Sequence, residues 1–186
     1  MNSIDITPTQ QLAERVIGRS DAAAAAAHDH ADAARRTGGQ SDGFTLALRR
    51  ELPAARAVVF EAFVDPNQFR EWFGPKGYSV ASVEFTPRVG ERYRIEMRPP
   101  EGEHFHVTGE VCEVDLPRRL AFTFEYEEAH ADDVETQVSL SFRDLGESTE
   151  VDLTQGPFTT AARHVLHEDG WRDSFDKLEQ YVSAQP

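Results

Sequence analysis

The sequence predicts an α+β domain: a curved antiparallel sheet of about seven strands wrapped around one long C-terminal helix, with two short helices after the first strand. Three observations carry this reading. In residues 160–183, Trp171, Phe175, Leu178 and Val182 fall on one face of a helix at about 100° per residue, opposite a mostly charged face. Most of the upstream strand candidates alternate apolar with polar residues, so each has a single dry face. The order of elements, one strand, two helices, six strands and a helix, supplies one helix stripe and one sheet face, and each must cover the other.

Composition fits one domain with a leader: 186 residues, 39% hydrophobic, twelve of them Phe. Nineteen Lys and Arg against 33 Asp and Glu give a net charge of −14, and 15 of the basic and 27 of the acidic residues lie from position 44 onward. So acidic a domain repels phosphate backbones and anionic lipid, which excludes nucleic acid as an expected partner. The single cysteine, Cys112, can form neither an internal disulfide nor a thiolate cluster, so a cytoplasmic setting is expected. No basic start leads into an apolar run and no stretch is long enough to span a bilayer, so neither export nor membrane insertion is expected.

Residues 1–43 read as an N-terminal tail, partly helical or disordered. Thr7-Pro8 starts one helix with the stripe Leu12, Val16 and Ile17, and Asp21 starts another through Ala22–Ala27. Alanine favours helix but buries little, so the tail is expected outside the fold. Its alternative role is an arm for homodimerisation or a partner protein. His28 and His30, two apart, do not meet on a helix and make no metal pair.

The domain is expected over 44–186. Phe44, Leu46 and Leu48 alternate with Thr45, Ala47 and Arg49 as a strand closed by Pro53. Val59, Phe60, Phe63 and Val64 have helical spacing, and Asp65-Pro66 caps a second helix that Gly74-Pro75 stops, leaving Trp72 and Phe73 at the junction. Hairpin strands follow at 79–85, from Tyr93 to Met97, and at 104–114, 120–127, 134–142 and 149–155, with turns at Pro87–Gly90, Pro99–Gly102 and Leu145–Glu147. Such a sheet curls around one helix without the helix filling the concavity, which leaves room for a ligand.

Pro53 to Phe63, Asp65-Pro66, Trp72-Phe73-Gly74-Pro75, Gly109-Glu110-Val111, Glu113-Val114-Asp115, Pro117-Arg118-Arg119-Leu120, Gly170-Trp171, Leu178 and Tyr181-Val182 together resemble the START-like superfamily. Within it they resemble the branch named after the C-terminal domain of the activator of Hsp90 ATPase. The resemblance covers about 44–183 and implies a helix-grip fold with a cavity between sheet and helix. It implies a range of functions, because the fold hosts lipid carriers, hormone receptors, polyketide aromatases and cyclases, and co-chaperones. One departure stands out: the eukaryotic co-chaperone has a large N-terminal client-gripping domain, and the 43-residue tail is shorter than that.

The expected cavity lining is the dry side of each strand plus the helix stripe: Phe85, Tyr93, Ile95, Met97, Phe105, Val107, Phe122, Phe124, Tyr126, Val138, Leu140, Trp171 and Phe175, with Trp72 and Phe73 near the entrance. Extending the stripe one turn back brings in His164, His167 and Glu168, with His164 at its centre. So many aromatic residues favour a flat, apolar ligand. The expected function is therefore binding of a small hydrophobic or aromatic molecule, as a carrier, sensor or stress-related module. The alternatives are a polyketide cyclase or aromatase, and a chaperone-regulating interaction protein. Cyclase or hydratase chemistry needs a general base and a donor to an enolate, for which His164 and Tyr93 are the candidates. His104 and His106 share a strand face, but on its wet side, and no metal or cofactor is expected. No phosphate loop, nucleophile elbow or cysteine site is present.

Overall fold

The computed structural model describes residues 43–185. The helices and docking arm expected of the tail, with His28 and His30, lie outside the described residues. From Phe44 the chain runs β1 (Phe44–Leu52), α1 (Arg56–Val64), α2 (Pro66–Trp72), β2 (Ser79–Glu84), β3 (Arg92–Arg98), β4 (Phe105–Asp115), β5 (Arg119–Tyr126), β6 (Thr136–Asp144), β7 (Thr149–Phe158) and α3 (Ala161–Ser183).

The strands form one sheet in the order β1-β7-β6-β5-β4-β3-β2, antiparallel throughout. Hairpins therefore build one side of the sheet strand by strand, and β1 closes against the last strand. The facing pairs expected of β6 and β7 occur as Leu140 with Leu153 and Phe142 with Val151. β7 extends beyond the expected Gln155 through Gly156-Pro157, where the pairing with β1 shifts between Phe44 and Leu46. A bulge accommodates the proline, which has no amide hydrogen for the ladder.

β4 and β5 approach each other closely at Gly109. A side chain at Gly109 would bring a Cβ within 2.0 Å of the Thr123 carbonyl oxygen and 2.8 Å of the Tyr93 ring. Only a residue without one lets the neighbouring strand come so close. Just beyond, the register shifts between Val111 and Glu113.

The two short helices plug one end of the bowl. Asp65 caps α2, its carboxylate accepting from the Asn67 and Gln68 amides at 2.7 and 3.2 Å, with Pro66 in the first turn. Phe60 and Phe63 of α1 meet Phe142 edge-on at 5.0 and 5.3 Å. Trp72 is fully buried and its indole N–H donates to the Ala62 carbonyl at 2.9 Å. It is a core residue tying α2 to α1, which corrects the expectation that it stands at an entrance.

α3 starts at Thr160, whose hydroxyl accepts from the Arg163 amide at 3.3 Å. Along its length it buries Leu166, His167, Trp171, Ser174, Phe175, Leu178 and Val182. The expected stripe thus faces the sheet from Trp171 onward. Near its start the buried pair is Leu166 and His167, and His164 is half-buried at the rim.

Candidate functional site

Between the middle of α3 and strands β3, β4 and β5 lies a cavity of about 50 Å³, walled by Phe73, Gly74, Pro75, Met97, Phe105, Val107, Phe124, Tyr126, Leu166, His167, Gly170, Trp171 and Ser174. A second void of about 10 Å³ lies among Phe63, Phe69, Val83, Phe85, Tyr93, Ile95 and Phe122, with Phe73 and Phe124 lining both. Two aromatic rings therefore stand between the voids.

The loop after α2 forms one wall and is held by α3. The half-buried Lys177 ammonium donates to the carbonyls of Phe73 and Gly74 at 3.0 and 3.1 Å. Burial lowers its pKa, an effect Asp173 partly opposes. The Gly74 and Lys76 amides donate to Ser174 Oγ and Asp173 Oδ2 at 3.1 and 2.9 Å. Gly74 has φ +97°, and a Cβ there would meet the Met97 methyl at 2.5 Å.

A buried polar chain runs behind the cavity. Trp171 Nε1–H donates to Gln155 Oε1 at 2.7 Å, and Gln155 Nε2–H donates to Thr136 Oγ1 at 2.8 Å. The Thr136 hydroxyl donates in turn to the Phe124 carbonyl at 3.3 Å. This chain fixes the plane of the Trp171 indole.

His167 sits among Phe158, Phe124 and Tyr126, with ring centroids at 4.7, 5.3 and 5.7 Å. Burial, with the charge of Arg163 and the neighbouring His164, lowers its pKa to about 3, so the ring is neutral at ordinary pH. Burial raises the Tyr126 hydroxyl, helped by Asp133. Above this corner the β5–β6 loop is pinned to the start of α3: Arg163 Nε and Asp133 Oδ1 are 3.1 Å apart, with side chains 11% and 6% exposed.

Eight of the expected lining residues come together at the larger cavity: Phe73, Met97, Phe105, Val107, Phe124, Tyr126, His167 and Trp171. Phe85, Tyr93, Ile95 and Phe122 fall on the smaller void instead. Val138, Leu140 and Phe175 are buried but line neither, and Glu168 pairs with Arg172 at 2.6 Å.

His164 and Tyr93 do not meet, which corrects the expected acid–base pair. His164 packs at the sheet's edge against Phe158 of β7 and Phe44 of β1, at 6.1 and 6.2 Å. The Tyr93 hydroxyl is committed to the Thr123 carbonyl at 2.7 Å. The expected lining missed Gly74, Pro75, Leu166, Gly170 and Ser174 at the larger void, Phe63, Phe69 and Val83 at the smaller, and the buried Gln155 behind Trp171. Gln155 was visible as a polar residue in phase with Val151 and Leu153.

On the outer face His106, Glu127 and Glu128 bring ligand atoms within 4.8 Å of one another. Their carboxylates are already engaged, Glu127 by Arg94 at 2.6 and 2.8 Å and Glu128 by the His106 ring at 2.8 Å. Among the described residues, no helix is long and apolar enough to cross a membrane.

A bent antiparallel sheet gripping one long C-terminal helix, with a small apolar cavity between them, defines a helix-grip module of START-like type. The family model described as activator of Hsp90 ATPase homolog 1-like protein matches residues 53–183, and the chain belongs to that family. No curated protein matches it in sequence. Solved structures agree on the fold. A protein from Chromobacterium violaceum is 23% identical, with a TM-score of 0.70 over 76% of this chain and 98% of that one. The AHSA1 protein from Silicibacter pomeroyi is 25% identical, with a TM-score of 0.67 over 75% and 98%. A protein from Rhodobacter sphaeroides is 23% identical, with a TM-score of 0.67 over 80% and 98%.

Proposed function

We propose that the protein binds one small, flat, predominantly apolar molecule between the sheet and α3, as a carrier or sensor. The observation that carries this reading is the pair of voids separated by Phe73 and Phe124. At about 50 Å³ the larger void is well short of the roughly 150 Å³ that accommodates benzene. A ring-sized guest therefore needs its walls to move, and the movable parts are the two shared rings and the unbranched Met97 side chain. Rotation of either ring joins the voids, and the guest replaces the aromatic contacts that are lost.

The polar groups around the cavity support binding rather than turnover. His167 is neutral but stripped of basicity, and the two groups proposed for acid–base work lie apart. The outer face of the sheet carries cross-strand pairs such as Arg92–Glu125, Arg94–Glu127 and Arg143–Glu150, which give a regulatory partner little apolar anchorage.

The test is a thermal-shift screen of neutral aromatic and isoprenoid compounds, followed by titration of hits with Trp171 fluorescence as readout. A ligand at about a hundred times its Kd stabilises by about 2.7 kcal/mol, which moves Tm by several degrees. No change in Tm or fluorescence across such a set would overturn the proposal.

A further inference from the structure

The cavity has one polar corner with unused hydrogen-bonding capacity. Ser174 on its wall is committed, donating to the Gly170 carbonyl at 2.8 Å and accepting from the Gly74 amide. The Trp171 N–H is committed to Gln155. Tyr126 from β5 and His167 from α3 have no hydrogen-bond partner for their side chains among the described residues, although His167 is only 9% exposed. Neither polar end is sealed in, since the one enclosed and unpartnered side-chain atom among the described residues is Arg56 Nε. The space both side chains line is the cavity.

We infer that Tyr126 and His167 form a polar subsite that reads one uncharged oxygen, a carbonyl or a hydroxyl, on the bound molecule. The phenol donates, and the neutral imidazole offers one donor and one acceptor, so either type of oxygen finds a complement. A carboxylate accepts from the same donors but finds no countercharge: Arg163, whose charge is felt at His167, is already paired with Asp133, and two neutral donors do not offset the hydration an anion loses in so apolar a site. The site therefore ranks neutral oxygenated aromatics above both the bare hydrocarbon and the acid. This inference rests on the binding role proposed above.

The test titrates 2-naphthol, naphthalene and 2-naphthoate at pH 7 into wild type, Tyr126→Phe and His167→Phe, after circular dichroism has established that the variants fold. Wild type is expected to prefer 2-naphthol over naphthalene by about fivefold, the range of one net hydrogen bond, and to leave 2-naphthoate unbound. In Tyr126→Phe the preference is expected to fall to about one. Naphthalene binding with no preference for the naphthol, a preference unaltered in both variants, or binding of the naphthoate as tight as that of the naphthol would overturn the subsite while the parent reading stands. Failure of all three compounds to bind wild type would overturn both.

Discussion

An imidazole surrounded by phenyl rings, with a guanidinium nearby, resists protonation, and His167 is held in that way by Phe124, Tyr126, Phe158 and Arg163. The consequence for stability has a definite sign. The folded pKa of about 3 lies below the unfolded value of about 6.5, so between them the unfolded chain binds more protons and acidification favours unfolding. The contribution is complete above about pH 6.5 and is lost progressively down to about pH 3, amounting to about 2 kcal/mol by pH 5. Urea midpoints for wild type are expected to fall from pH 6.5 to 5, above the range where ordinary carboxylates titrate, and His167→Phe should flatten that slope. Equal slopes would mean that the ring takes up its proton without unfolding. The choice of His167 over His164 was not legible in the sequence, because both lie on the same stripe. What separates them is how far along α3 the centre of the bowl falls, and that depends on the curvature of the sheet. Gln155 was missed although it shares its phase in β7 with Val151 and Leu153, and its role as partner to Trp171 follows from the requirement that a buried indole N–H finds an acceptor.

At the scale of elements, period-two alternation together with turn signals located the strands and the 3.6-residue stripe located α3, because one-sided burial writes itself directly into residue order. The end of β7 and the close approach and register shift between β4 and β5 were less legible, since bulges and close backbone approaches depend on the neighbouring strand. Gly109 is where that dependence can be measured. A methyl there collides with Thr123 O and the Tyr93 ring, one of them backbone, so the strand must move rather than a side chain. Gly109→Ala is expected to destabilise the domain by about 3 kcal/mol, within the range for forced overpacking. The neighbouring Gly90, with open space around it but φ +86°, provides a control in which only backbone strain is introduced. Gly90→Ala should cost about 1 kcal/mol, and denaturant midpoints for the two variants, compared at equal m value, test the ranking. Equal losses would show that β4 and β5 can separate freely at Gly109.

At the scale of the whole molecule, the sheet and α3 are held apart by aromatic rings, and whether the gap admits a guest depends on whether those rings can give way. Residue order records how many Phe, Tyr and Trp face inward but not the spacing between sheet and helix, so the expected cavity came out smaller than a benzene ring requires. Phe124 is the most informative position, because it borders both voids and stacks edge-on with Tyr126 and His167 at 5.5 and 5.3 Å. Removing its ring should merge the voids without disturbing the Lys177 clamp on the loop after α2. Phe124→Ala is therefore expected to lose about 3 to 5 kcal/mol in water, the usual cost of deleting a buried phenyl ring. Saturating benzene should recover part of that loss in Phe124→Ala by mass action while leaving wild type less affected. Collapse of the surrounding side chains into the vacated space would give a smaller loss and no recovery with benzene. That result would mean the bowl closes on α3 whenever a ring is withdrawn, and a ligand could then enter only by moving the helix itself.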